Sequence, residues 1–258
     1  MANSYRKFAE YYDILTENVD YEGRMKEIDS LFYEYTGKTN EKILLDLACG
    51  TGSMSEEAEK LGYDVIGVDC SEEMLFEAVN KKYEKNLNVQ YVRQDMRNLD
   101  LYGGVDITIC ILDSLNHLSC FDDVKKVFEK VFMFTNNNGL FVFDMNTPYK
   151  HRNVLADNVF VFETDDVFVA WENEFSEKDC KVDITLNFFE KTHNNYKRYT
   201  ENFSELAYEK EDIIKACEEV GFILMETIPK YEQDSDEQPE RIVYVMKKDY
   251  EEGENLNG

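Results

Sequence analysis

A glycine-bracketed turn, Gly50-Thr51-Gly52, closes the apolar run Lys42-Ile-Leu-Leu-Asp-Leu-Ala-Cys49, and seventeen residues after Gly52 a second apolar run ends in Asp69. Glycines at such a turn let the main chain approach a ligand closely, and the first turn of a following helix offers unpaired amides. A carboxylate at the tip of the neighbouring strand can accept both hydroxyls of a ribose. Either part alone is an ordinary strand-to-helix turn or an N-capping acid; together they point to a nucleoside-bearing cofactor. Asp46, Asp95 and Asp113 also fall at or near strand ends, so four carboxylates gather along one edge. His117, in Asp113-Ser-Leu-Asn-His117, is the best placed of the three histidines to take up a proton, although it could equally cap the helix that begins near Asp122. His151 and His193 sit near turn-like segments and are expected at the solvent surface. No spacing of His, Asp and Glu matches a metal-ligand set, so no metal site is expected.

The elements that would position these groups alternate. A helical, aromatic-rich pattern from Tyr5 to Tyr35 is broken at Gly37 and Asn40. Strands are expected at 42–49, 64–69, 89–95, 105–113 and 140–144, and helices at 53–61, from Ser71 onward and at 122–134. Ser71 opens its helix as a capping box in which Met74 stands where Glu is usual. The run Asn136-Asn-Asn-Gly139 reads as a turn. Strands alternating with helices imply parallel pairing through right-handed crossovers. From Asn158 to Tyr208 the period changes to two, as in Val182-Asp-Ile-Thr-Leu-Asn-Phe, which indicates an antiparallel meander inserted into the α/β unit. A helix at 211–220 and strands at 222–228 and 241–247 complete the sheet, the last strand antiparallel because a loop precedes it. The expected fold is a Rossmann-like mixed seven-stranded sheet with helices on both faces and an antiparallel β insertion.

Bulk properties bound the reading. Among 258 residues, 28 Lys and Arg face 54 Asp and Glu, a net charge of −26 that repels polyphosphates and argues against a nucleic-acid surface. With 43% hydrophobic and 14% aromatic residues the chain can build a core. No 18-residue apolar run occurs, so no membrane span is expected. Six dispersed cysteines without a CxxC pair fit a reduced, cytoplasmic protein.

The run Asp46-Leu-Ala-Cys-Gly-Thr-Gly52 resembles motif I of the class I S-adenosylmethionine-dependent methyltransferases. The likeness continues through Asp69, Ser71-Glu-Glu-Met74, Gln94-Asp95-Met96 and Leu112-Asp113-Ser114. Beyond this core, Phe8-Ala-Glu-Tyr-Tyr-Asp13, Trp171-Glu-Asn-Glu-Phe175 and Tyr196-Lys-Arg-Tyr199 look like a bacterial small-molecule branch, close to amino-sugar and glycine or sarcosine N-methyltransferases. The resemblance implies S-adenosyl-L-methionine as cofactor. Ala48, Gly50 and Gly52 would line its methionine end, with Asp46 beneath. Asp69 would hold the ribose, Cys70 and Met74 would flank the adenine, Asp95 and the Met96 amide would bind its edge, and Leu112 and Tyr12 would cover it. Of the aromatic residues Tyr5, Phe8, Tyr11, Tyr12 and Tyr21, Tyr12 is the one expected to touch the cofactor; for most of the others helix-on-sheet packing is the reading. The acceptor pocket would draw on Asp113, Asn116, His117, Trp171 and Tyr199, with His117 the candidate base.

The expected activity is direct in-line methyl transfer to N or O of a small molecule by a monomer or homodimer. Two alternatives carry distinct signatures: a catalytically silent cofactor-binding module or scaffold, and a nucleotide-dependent oxidoreductase. By extent, 1–40 would form a helical lid, 41–147 the cofactor core, 148–208 the β insertion over the substrate, 209–250 the completion of the core and 251–258 a disordered tail.

Overall fold

Five apolar runs between Lys42 and Asn146 become parallel strands of one sheet. The computed structural model describes residues 6–37, 42–231 and 238–249; Tyr5, Asn40, most of the 233–240 loop and the 251–258 tail lie outside them. The aromatic N-terminal pattern resolves into two helices, α1 (Arg6–Leu15) and α2 (Tyr21–Thr36). Then follow β1 (Ile43–Leu47), α3 (Ser53–Lys60), β2 (Asp64–Asp69), α4 (Glu72–Lys85), β3 (Val89–Arg93) and β4 (Val105–Cys110). After them come α5 (Phe121–Phe134), β5 (Thr135–Asn146) and the short helical turn α6 (Pro148–Lys150). An antiparallel meander of β6 (Val159–Glu163), β7 (Val167–Ser176), β8 (Lys181–Thr192) and β9 (Asn195–Leu206) forms a second sheet. The chain returns through α7 (Lys210–Val220) to β10 (Ile223–Lys230) and β11 (Arg241–Lys248).

The main sheet has the order β10-β11-β5-β4-β1-β2-β3, with β11 antiparallel to both its neighbours and the rest parallel. Strand order reverses between β1 and β4, and the crevice at the carboxyl ends there is where such sheets bind ligands. Every residue of β4 is buried, because both faces are covered. Phe141, Phe143 and Met145 pack toward α5 and α7, while Leu140 and Val142 pack toward α2 and α3. That alternation is the period of two that fixes which side chains each face receives. A third cluster, including Tyr11, Val169, Ile184 and Phe188, glues α1 to the meander.

Three expectations are corrected. The Asn136–Gly139 segment belongs to β5 and does not form a free turn: Asn136 Nδ2 donates to Asp106 Oδ1 (3.1 Å) and Asn138 Nδ2 to the Thr36 carbonyl (3.0 Å), so neighbouring elements supply partners that local propensity could not foresee. The fourth strand ends at Cys110 and not at Asp113, since Leu112 and Asp113 turn left-handed, with φ of 59° and 51°. His151 is not at the surface but fully buried, its Nδ1 2.9 Å from the Cys180 carbonyl oxygen.

Candidate active site

At the end of β1 the chain bends sharply through Ala48 (φ 61°), Gly50 (φ 54°) and Gly52 (φ 79°). Gly52 is the N-cap of α3, and a Cβ there would stand 2.2 Å from the Tyr91 hydroxyl, so the position requires glycine on both conformation and space. At Gly50 a Cβ would reach within 4.0 Å of Tyr12 Cε1, filling the gap between turn and helix α1. Asp69 closes the other side. Its Oδ2 accepts the Gly50 amide (2.9 Å) and its Oδ1 the Ser71 amide (2.8 Å); burial pushes this carboxyl up while those amides pull it down. Asp46 lies beneath, 3% exposed. Burial drives its carboxyl up to about 7 against the opposing hydrogen bond from Ser55 Oγ (2.6 Å). Ser71 caps α4 by accepting the Met74 amide (3.1 Å), which sets the Met74 side chain over the same space.

These groups open onto a cavity of about 630 Å³. Of the cofactor candidates, Tyr12, Ala48, Gly50, Asp69, Cys70, Met74, Met96 and Leu112 line it, and of the acceptor candidates Asp113, His117 and Trp171 do. Asp46 and Gly52 support the turn from behind. Asp95 does not line the cavity: it caps the Arg97 amide (2.9 Å) and pairs with the Arg97 guanidinium, which holds its carboxyl low. Asn116 is fully buried and ties three main-chain groups together, donating to the Asn146 and Leu206 carbonyls and accepting the Asn146 amide. Tyr199 packs under the Lys7 ammonium, 4.8 Å from its ring centroid, on the meander flank. A second cavity, about 470 Å³ between Arg152, Tyr208 and Tyr244, contains none of the candidates.

The end of the cavity lined by the acceptor candidates is a charged floor under an aromatic wall. Asp113 Oδ1 lies 2.7 Å from Arg241 Nη1, which also reaches Asp144 Oδ1 at 3.0 Å. Burial alone would raise the Asp113 carboxyl, but Arg241, with Lys150 and His117 farther off, holds it well below the usual carboxylate range. Arg24 lines the same cavity, 3.8 Å from Asp144. Trp171 packs against Phe160 and Phe162, and Phe203 lies 5.3 Å from the His117 ring. Reading the sequence alone missed Glu205, Arg24, Arg241 and Phe203. Glu205 sits at the end of β9, 3% exposed, with Oε1 3.8 Å from His117 Nε2. Asp113, His117 and Glu205 each bring one ligand-type atom within 4.8 Å of the others, a cluster whose members are up to 92 residues apart in the chain. No local signal marks Glu205; only the meander's return to the sheet edge does.

Comparison with known proteins shows the family of the chain. Residues 44–139 match the family model described as a methyltransferase domain. Over 247 residues the chain is 27% identical to a putative methyltransferase of Geobacillus sp. (strain WCH70), covering 95% of this chain and 100% of that one. It is 25% identical over 245 residues to a glycine/sarcosine N-methyltransferase of Halorhodospira halochloris, covering 94% and 88%. The crystal structure of an S-adenosylmethionine-dependent methyltransferase from Clostridium acetobutylicum ATCC 824 superposes with a TM-score of 0.83 at 34% identity, covering 95% of this chain and 99% of that one.

Proposed function

The chain belongs to the S-adenosylmethionine-dependent methyltransferases, and from that premise we propose that it methylates nitrogen on a small-molecule amine by direct in-line transfer. The oxidoreductase alternative falls with the cofactor. One observation carries the reading: the cofactor wall of Gly50, Asp69 and Met96 and the acceptor wall of His117 and Trp171 face a single cavity of about 630 Å³. The relative that methylates glycine and sarcosine supports nitrogen over oxygen.

The residues fit the cofactor. Gly50 and Tyr12 line one side of the cavity, where an extended methionine chain would run past the turn, and Asp69 lines it beside them. Asp69 would hold the ribose hydroxyls, Cys70, Met74 and Met96 would enclose the adenine, and Leu112 and Tyr12 would close over the remainder. Bound S-adenosylmethionine supplies a methyl carbon on a sulfonium centre. The protein's own task is alignment and exclusion of water, done by the aromatic wall and α1. His117, with 37% of its side chain exposed, would accept the acceptor's proton and pass it to solvent. All six cysteines are free thiols, which supports a reducing, cytoplasmic setting. Among the described residues no helix is long and apolar enough to cross a membrane.

Calorimetry with S-adenosylhomocysteine and NAD, followed by a labelled-methyl assay against a metabolite extract with mass identification of the product, tests the proposal. Binding of the first ligand only, with label on an amine, is the expected result. Label on oxygen would overturn the choice of atom, and S-adenosylhomocysteine binding with no labelled product would return the reading to a silent module.

A further inference from the structure

Glu205 is a buried carboxylate with one oxygen committed and one not. Its Oε2 accepts a hydrogen bond from Asn146 Nδ2 (3.0 Å) and lies 3.6 Å from His151 Nε2. Its Oε1 accepts no hydrogen bond among the described residues and faces the cavity, 3.8 Å from His117 Nε2. That gap is too long for a direct hydrogen bond. A carboxylate with only 4% of its side chain exposed is costly to leave half-paired, so the arrangement calls for a donor from a ligand. Phe203, two residues back on the same strand face, lies 5.3 Å from the His117 ring at this end of the cavity, and an aromatic ring face attracts a cation. Asp113 cannot serve instead, because Arg241 already occupies it at 2.7 Å.

We propose that Glu205 anchors the acceptor's ammonium group and holds it beside His117, which removes its proton. The proposal rests on the methyltransferase reading above and adds the acceptor's charge state and its anchor. An N–H bond of the bound ammonium breaks, the proton passes to His117 Nε2, and the electron pair stays on nitrogen. That pair bonds the incoming methyl carbon as the carbon–sulfur bond breaks, its electrons remaining on sulfur. The buried His151 imidazole lies behind the other oxygen of Glu205, so the anchor cannot swing away from the cavity without abandoning that contact and the Asn146 bond.

The test uses the full chain saturated with S-adenosylhomocysteine, titrated with methylammonium as the probe and with methanol and formate as neutral and anionic controls. Methylammonium is expected to bind and to shift the ring nitrogen resonances of His117 in the unaltered protein, while the controls do neither. Glu205→Gln should weaken methylammonium binding about tenfold or more, as for loss of a hydrogen bond to a charged group, and leave S-adenosylhomocysteine affinity unchanged. Equal methylammonium affinity in that variant, equal binding of methanol, or abolition of binding by EDTA would each overturn the proposal; the last would make the Asp113–His117–Glu205 cluster a metal site. The His117 shift needs no variant and decides the matter if Glu205→Gln does not fold. Failure of the unaltered protein to bind S-adenosylhomocysteine at all would instead overturn the methyltransferase reading.

Discussion

Raising the pH should strip a proton from the interior and weaken the fold by a predictable amount. Burial of His151 alone would favour the neutral ring, but contacts with Cys180 and the Glu205 carboxylate outweigh it and push its pKa from 6.5 up to about 9. A folded value above the unfolded one means the charged ring stabilises the native state. That contribution is complete below pH 6.5 and is lost as pH rises through about 9. At about 1.36 kcal/mol per pKa unit, the gap corresponds to about 3 kcal/mol. Urea unfolding followed by circular dichroism, at intervals from about pH 6 to about pH 10, would measure it. Because Lys and Tyr residues also titrate in alkali, the quantity to follow is the difference in stability between the unaltered protein and His151→Gln. That difference should shrink by about 3 kcal/mol across the range. A constant difference, or a His151 resonance that titrates at or below pH 6.5, would refute the protonated His151–Glu205 pair.

Three further outcomes are expected. Gly52→Ala must place a Cβ 2.2 Å from the Tyr91 hydroxyl at a φ of +79°, and should cost about 2 kcal/mol or more in urea unfolding; a loss under about 0.5 kcal/mol would show that neither the backbone conformation nor the Tyr91 contact demands glycine. Asp69→Ala removes the acceptor of the Gly50 and Ser71 amides and should weaken S-adenosylhomocysteine at least about tenfold by calorimetry, with unchanged affinity counting against a ribose contact. Asp46 has its carboxyl raised from 3.8 to about 7, so its ionisation works against the fold as pH climbs through that window. Asp46→Asn should therefore melt several degrees higher than the unaltered protein at about pH 8, and an equal or lower midpoint would disprove the burial cost assigned to it.

The grouping of the cofactor candidates around one cavity was legible because its signals are local. The turn at Gly50 and Gly52, the helix of Ser53–Lys60 and the acid Asp69 follow one another within one strand–helix–strand unit, so spacing alone brings them together. The acceptor half was not. Glu205 meets His117 only after an entire meander has folded, and Arg241 meets Asp113 only because β11 inserts beside β5. Asp95 stands where the motif places it, but its carboxylate pairs with Arg97, two residues on, and it does not line the cavity. Asn116 matched an acceptor position by sequence, but a buried amide must satisfy its hydrogen bonds first, and main-chain groups of Asn146 and Leu206 supply them. His151 was misplaced because a turn-like sequence says nothing of what later packs over it.

Strand β9 does two things at once. Glu201 Oε1 accepts the Lys7 and Phe8 amides, capping the first turn of α1, and four residues on, on the same face of the strand, Glu205 looks into the cavity. Tyr12 of α1 lies against the cofactor turn, 4.0 Å from where a Gly50 Cβ would be. On the proposed reading, the helix that would cover one ligand and the carboxylate that would anchor the other share a single strut. On that reading the consequence is kinetic: if cofactor binding orders α1, the shared strand would carry that order to Glu205, and initial-rate and product-inhibition patterns should show the cofactor adding first and the acceptor second.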